Sequence, residues 1–359
     1  MASITLEHLA HSYAKSPRTD ADFALKELNL HWEDGEAYAL LGPSGCGKTT
    51  LLNIMSGLLT PTRGKVLFDQ QDVTTASTAE RNIAQVFQFP VVYDTMTVRE
   101  NLAFPLRNRG VDANTIAARV DRIAQMIGLD DILGRKARGL TADLKQKISL
   151  GRGMVREDVN AILFDEPLTV IDPHLKWELR TQLKSLHREF GHTMVYVTHD
   201  QTEALTFADK VVIMHEGAVL QIGTPEELFE APAHTFVGYF IGSPGMNFIP
   251  VALDGTHAVI EGHKVELAHG YEKPEGRVEL GVRPEFMTLT SGEGLPATIN
   301  RVQDAGRHKF INASVFGNEV NIVLDASAEL SSDMTNITFD ASKASIFENS
   351  WRVTPGGSA

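Results

Sequence analysis

The segment Gly42-Pro43-Ser44-Gly45-Cys46-Gly47-Lys48-Thr49 meets every fixed position of the pattern G-x-x-x-x-G-K-[ST]. Its chemistry is that of a polyphosphate cradle. The glycines let backbone N–H groups turn inward, and Lys48 can reach β- and γ-phosphates. The Thr49 hydroxyl is suited to ligate Mg²⁺, and Thr50 continues into the helix that follows. Asp165 and Glu166 close the apolar run Ile162-Leu163-Phe164. The first carboxylate can hold Mg²⁺ through water, and the second can polarise an attacking water. Taken alone, the pair also fits a strand that simply ends in solvent. His199 ends the run Thr193 to Val197, where a neutral imidazole could contact a γ-phosphate; a lone histidine equally suits a structural role. Gln88 follows the run Ile83 to Phe87 and is suited to touch Mg²⁺ and the attacking water. Tyr13, placed before the first core strands, could stack on adenine, or be an ordinary surface aromatic.

These groups need elements to hold them. Ala37-Tyr38-Ala39-Leu40-Leu41 reads as a short buried strand, and Thr50 to Leu58 as a helix with one apolar face. Strand, glycine loop and helix N-terminus together make an anion site. Ala161 to Phe164 and Thr193 to Val197 read as strands of a mostly parallel sheet. Between them Leu175, Leu179, Leu183, Leu186 and Phe190 recur at helical spacing. Residues 112–157 hold helical patterns and no convincing strand, so a helical subdomain, spanning about 90–157, is expected within the α/β core. Lys210 to Met214 and Ala218 to Ile222 flank Glu216-Gly217 as a hairpin. Thr224-Pro225-Glu226-Glu227 starts a helix. From about residue 240 the period becomes two, in Ala258-Val259-Ile260, Val278 to Val282, Phe310 to Phe316 and Val320 to Leu324. A smaller all-β domain, barrel or sandwich, is expected there. Ile241 to Asn247 is the expected joint, and Gly356-Gly357-Ser358 a loose tail.

Composition sets the outer bounds. At 359 residues, two domains are expected. No run of 18 apolar residues occurs, so no membrane span is expected, and residues 1–30 lack a signal-peptide pattern. The one cysteine, Cys46, leaves no internal disulfide and suits a reducing compartment. A formal net charge of −13 argues against a nucleic-acid binder.

In this order, the motifs resemble the ATP-binding subunits of ABC transporters, most closely those of bacterial carbohydrate and polyol importers. The resemblance covers essentially the whole chain. It makes Gly42 to Thr50 the Walker A loop, Gln88 the Q-loop glutamine, and Leu163 to Glu166 the Walker B strand. Thr169-Val170-Ile171-Asp172 becomes the D-loop, and His199 the switch histidine. Phe240 to Phe248 looks like the joint of the maltose-type subgroup, and Gly281-Val282-Arg283-Pro284-Glu285 like part of its C-terminal regulatory domain. The resemblance implies a P-loop NTPase core in residues 1–236 with an inserted helical subdomain, then a β-rich, OB-like regulatory domain in 237–359. It implies ATP and Mg²⁺ as cofactors, and Glu166 and His199 as catalytic. It also implies a peripheral position on the cytoplasmic face of the cell membrane, with two transmembrane permease subunits and a periplasmic or extracellular solute-binding protein. Glycerol or a related polyol is the substrate suggested by Val86 to Met96 and by the departure described next.

That departure lies in the signature. The family carries Leu-Ser-Gly-Gly-Gln, and here Leu140-Thr141-Ala142-Asp143-Leu144 stands in its place. In the family two subunits pack head to tail, and each ATP lies between one Walker A loop and the other subunit's signature. Thr141 keeps a hydroxyl. Ala142 and Asp143 remove both glycines, which is expected to hinder positive φ and close backbone approach. Asp143 also sets a carboxylate against phosphate, a repulsion of roughly 4 kcal/mol per charge pair at about 4 Å and an effective dielectric near 20. As a side chain Asp143 would suit a helix cap. A second ATPase subunit with an intact signature is therefore the expected partner. The competing readings are an ATP-binding regulatory subunit with little turnover, or an ATPase serving another solute.

Overall fold

In the computed structural model the described residues are 2–356 apart from 273, 332 and 333. Two compact units divide at Met1–Pro225 and Glu226–Ala359. The sequence placed its boundary later, at 236/237.

The first unit begins with β1 (Ile4–His11) and β2 (Leu25–Trp32), then β3 (Ala37–Leu41), α1 (Lys48–Ser56), β4 (Arg63–Phe68), β5 (Gln71–Asp72) and β6 (Ala84–Val86). Next come α2 (Val98–Arg107), α3 (Ala113–Met126) and α4 (Ala142–Met154). It continues with β7 (Ile162–Asp165), α5 (Pro173–Phe190), β8 (Met194–Thr198), α6 (Gln201–Phe207), β9 (Lys210–His215) and β10 (Ala218–Gly223). The central sheet has the order β10-β9-β3-β8-β7-β6. Only β10 joins it antiparallel. Its core strands are apolar on both faces: every residue of β3 and β8 is buried, as a parallel sheet covered on both sides requires.

A second, antiparallel sheet runs β2-β1-β4-β5. The sequence reading placed Tyr13 before the first core strands; β1 in fact precedes it. The strand escapes a period-two reading because register shifts interrupt its pairing with β2 and β4, and His8 has φ 47°. The helix after the glycine loop also starts at Lys48 rather than Thr50, and ends at Ser56 because Gly57 takes φ 81°. Between β6 and β7 every regular segment is helical. Thr97 and Glu100 form a capping box on α2, and Asp112 caps α3.

The second unit opens with α7 (Pro225–Glu230), whose first residue is the last of the first unit, and α8 (Thr235–Phe240), then β11 (Asn247–Pro250), β12 (Ala252–Asp254), β13 (His257–Ile260), β14 (His263–Glu266) and β15 (Val278–Val282). It ends with β16 (Met287–Thr290), β17 (Leu295–Pro296), β18 (Thr298–Asp304), β19 (His308–Val315), β20 (Asn318–Asp325), β21 (Asn336–Phe339), β22 (Ser345–Glu348) and β23 (Trp351–Arg352). These make small antiparallel sheets, β11-β15-β22-β23, β12-β13-β14, β16-β21-β17 and β18-β19-β20, around one apolar core. Arg283 explains why α7 and α8 belong here. Its guanidinium, 1% exposed, donates to the carbonyls of Leu228, Phe229, Gly238 and Ile241 and stacks 3.9 Å over the Phe229 ring. Burial pulls its pKa down to about 10, so it remains a cation at neutral pH. The tail read at 356–358 lies, beyond Gly356, outside the described residues.

Candidate functional site

β3 ends at Leu41 in the middle of the parallel sheet, and the glycine loop leaves from that edge. Gly42 has no room for a side chain, since a Cβ would lie 2.2 Å from the Met214 carbonyl oxygen. Gly47 has φ 103°, and a Cβ there would meet Leu25 Cδ2 at 2.6 Å and the Ala24 oxygen at 2.7 Å. Gly47 is the N-cap of α1 and no side chain caps it, which leaves the first-turn amides facing the loop. Lys48 is 5% exposed. Its Nζ donates to the carbonyls of Gly42 at 2.8 Å and Pro43 at 2.9 Å, with Cys46 Sγ at 3.8 Å. Burial raises the Cys46 thiol above its ordinary pKa, against the pull of Lys48, so the thiol stays neutral.

Two pairs of predicted residues come together beside this loop. Thr49 Oγ1 lies 3.5 Å from Asp165 Oδ1 at the end of β7. Burial raises the Asp165 carboxyl and the adjacent Glu166 charge raises it further, while Thr49 and Lys48 pull it down. Glu166 turns off the strand with φ 45° and anchors its N–H on the Val197 carbonyl at 3.0 Å. Its Oε2 accepts from Thr169 Oγ1 at 3.2 Å and lies 3.2 Å from His199 Nδ1. The carboxylate thus sits between the two strand ends β7 and β8, with the imidazole on one side and Thr169 on the other.

The loop carrying His199 is itself caged, by residues the sequence reading did not single out. Glu203, 3% exposed, accepts from Tyr196 OH at 3.0 Å and Thr198 Oγ1 at 2.9 Å, and pairs with Lys176 Nζ of α5 at 3.2 Å. Asp200 caps α6 through the Glu203 N–H at 3.1 Å. The only sequence signal for Glu203 was its place three residues after that cap.

The other predicted residues fall as follows. Tyr13 is 67% exposed; its hydroxyl meets Thr50 Oγ1 at 3.1 Å and its ring stands edge-on to His11 at 4.7 Å. It borders a cleft of about 600 Å³ shared with Phe23, Gly45 and Gly217. Gln88 lies two residues beyond β6, half-buried, and forms no side-chain hydrogen bond with a described residue. Asp172 is exposed and caps α5 through the His174 N–H at 2.9 Å. Thr141, not Asp143, is the N-cap of α4: its Oγ1 accepts from the Leu144 N–H at 3.5 Å. Asp143 falls inside the first turn, where its charge meets the positive end of the helix. Ala142 is the first helical residue, and neither it nor Asp143 has positive φ. The loss of both glycines therefore does not strain this backbone; what it changes is side-chain bulk and charge.

Around Gln88 the surface is apolar: Phe87, Phe89, Val91 and Tyr93 are 40%, 69%, 50% and 40% exposed. Phe87 and Val91 line a groove of about 240 Å³ with Pro105, Ser149 and Arg152. No helix among the described residues is long and apolar enough to cross a membrane.

Comparison with known proteins shows the family. Residues 25–169 match the family described as "ABC transporter", and residues 242–287 match "MalK OB fold domain". The chain is 37% identical over 332 residues to the sn-glycerol-3-phosphate import ATP-binding protein UgpC of Ruegeria pomeroyi, covering 92% of each chain. It is 40% identical over 339 residues to the trehalose import ATP-binding protein SugC of Mycobacterium tuberculosis, covering 92% of this chain and 81% of that one. Among solved structures it resembles cbiO1 from Clostridium perfringens, part of the ABC transporter complex cbiONQ, with a TM-score of 0.57 and 27% identity over 64% of this chain and 90% of that one. A P-loop at the end of a parallel strand, a carboxylate-ended β7, the two family matches and the relatives matched over most of their length lead to one conclusion: the chain belongs to the ABC transporter ATPases, and it carries a MalK OB fold domain.

Proposed function

We propose that this chain binds and hydrolyses ATP to energise the import of a sugar, a polyol or a glycerol phosphate. The substrate class rests on two of the relatives, one an sn-glycerol-3-phosphate and one a trehalose import ATP-binding protein. The observation that carries the catalytic reading is Glu166 Oε2 held 3.2 Å from both His199 Nδ1 and Thr169 Oγ1, next to the Thr49–Asp165 pair.

In this reading the loop amides from Gly42 to Thr50 and the Lys48 ammonium bind the phosphates, and Tyr13 packs on the base. Two oxygens, Thr49 Oγ1 and Asp165 Oδ1, converge with the character Mg²⁺ prefers, and Gln88 would add a third. When bound, Mg²⁺ supplies neutralising charge to the phosphates. Glu166 orients a water and takes its proton as the water oxygen bonds to the γ-phosphorus and the bond to the bridging oxygen of ADP breaks. His199 donates to the γ-phosphate oxygens, and the Glu203 cage fixes its approach.

The exposed run Phe87 to Tyr93 and its groove suit a partner subunit in the membrane, so two permease subunits, an external solute-binding protein and a peripheral cytoplasmic position belong to this reading. Asp172, at the head of α5, would face the second nucleotide-binding subunit. That subunit is a different ATPase, because the wall this chain offers, Thr141 to Leu144, carries Asp143 where phosphate must approach. The second reading, a regulatory subunit with little turnover, is opposed by the intact Glu166–His199 contact. Glu166→Gln separates them: in the purified complex it should retain ATP binding and lose about 10²–10⁴-fold in turnover. Unchanged turnover would refute the catalytic assignment.

A further inference from the structure

Gln146 lies on α4, in the turn after the Thr141 cap, and is fully buried at 0% exposure. Its Nε2 donates to two backbone carbonyls, Phe87 at 3.1 Å and Pro167 at 2.7 Å. Phe87 immediately precedes Gln88, and Pro167 immediately follows Glu166. Of the two ends of the amide only the NH₂ can donate to both carbonyls, so the amide orientation is fixed, and its Oε1 is left buried with no partner among the described residues. A side chain that only filled this space would do so at lower free energy as an apolar group of the same size. What the amide adds is geometry: one rigid group ties α4 to the loop before β7's helix and to the loop after β6.

We propose that Gln146 is a positioning residue for ATP hydrolysis, holding the Gln88 and Glu166 loops in register with the helix that starts at Thr141. The inference rests on the reading of Gln88 and Glu166 given above. Any rotation of α4 relative to the sheet then moves both loops together, through these two bonds. Gln146 reaches the reaction through backbone alone and touches no substrate.

The test uses the complex that this chain forms in its own cell, purified through a tag on the chain, with native, Gln146→Met and Gln146→Glu forms. ATP affinity should stay within about twofold, because the P-loop is untouched. Turnover of Gln146→Met should fall by about 10- to 100-fold, the scale of a small misplacement of catalytic groups. Gln146→Glu carries a distinct mark. Its neutral carboxyl donates one bond, whereas its ionised form donates none and sets charge against two carbonyls. Its turnover relative to native should therefore rise as pH falls, while the ratio for Gln146→Met stays flat. A native-like Gln146→Met beside an active native complex overturns this inference alone. Parallel loss of ATP binding and turnover in both variants, with no pH signature, also overturns it, by showing a purely structural role. A native complex without turnover overturns the reading of Glu166 and this inference together.

Discussion

Restoring the glycines at the head of α4 should make the isolated chain a better ATPase, at a measurable loss of stability. The perturbation is Ala142→Gly with Asp143→Gly; Thr141 remains and keeps its cap on the Leu144 N–H. Ala142 and Asp143 open the helix, so each change has a local cost. Glycine is up to about 1 kcal/mol worse than alanine in a helix, and less in the first turn. The lost attraction of Asp143 for the helix dipole is worth about 0.3–1 kcal/mol. Together these give roughly 1–2 kcal/mol, or a fall in Tm of about 2–8 °C for a unit of this size. The gain appears only when two copies close on nucleotide. The Coulomb ceiling of roughly 4 kcal/mol applies at about 4 Å and an effective dielectric near 20. With ions present, about 1–2 kcal/mol should survive, a rate gain of roughly 5- to 30-fold. The assay is phosphate release by the isolated chain at saturating Mg-ATP, beside a thermal scan. Asp143→Asn should recover the charge part alone. A double variant that is folded and binds ATP, yet hydrolyses no faster than native, would refute the reasoning.

Other consequences follow from single groups. Asp165 has its carboxyl raised by burial and by Glu166, so its ionised form is disfavoured in the fold. A raised acid contributes stability below its unfolded value and loses it as pH rises through the folded one. Asp165→Asn should therefore raise the Tm of the nucleotide-free chain at neutral pH, with the gain fading under acid conditions, and should abolish Mg²⁺-dependent ATP turnover; a Tm gain that persists unchanged at acid pH would contradict this. Arg283→Met should destabilise the second unit by several kcal/mol, since it strips the carbonyls of Leu228, Phe229, Gly238 and Ile241 of a buried donor at about 1–3 kcal/mol for each left unsatisfied. A separate calorimetric transition moving to lower temperature would show it.

The legible parts of this chain were those written in consecutive residues. The P-loop declares itself because Gly42 and Gly47 have no substitutes at their positions, both being sterically exclusive, and Lys48 follows them at the motif's fixed spacing. The α/β core followed from apolar runs such as Ala37–Leu41 and Met194–Thr198, buried at every position. Illegible features depended on distant partners. Glu203 acquires its role only when Lys176 and Tyr196 reach it, and Arg283 assigns α7 and α8 to the second unit from more than 40 residues away. The cap of α4 was misassigned to Asp143 because Asp is a strong cap type; the helix begins one residue after Thr141 instead, and a hydroxyl suffices.

The central claim is that this chain provides a working phosphate wall and needs the opposing wall from another ATPase. The most direct measurement compares Mg-ATP turnover per chain for the purified chain alone with turnover for the complex isolated through a tag on it, with the second nucleotide-binding subunit identified by mass. The account predicts ATP binding by both, turnover at least about tenfold higher in the complex, and a second ATPase of different mass. Robust turnover by the isolated chain, or a complex containing two copies of this chain and no other ATPase, would contradict it.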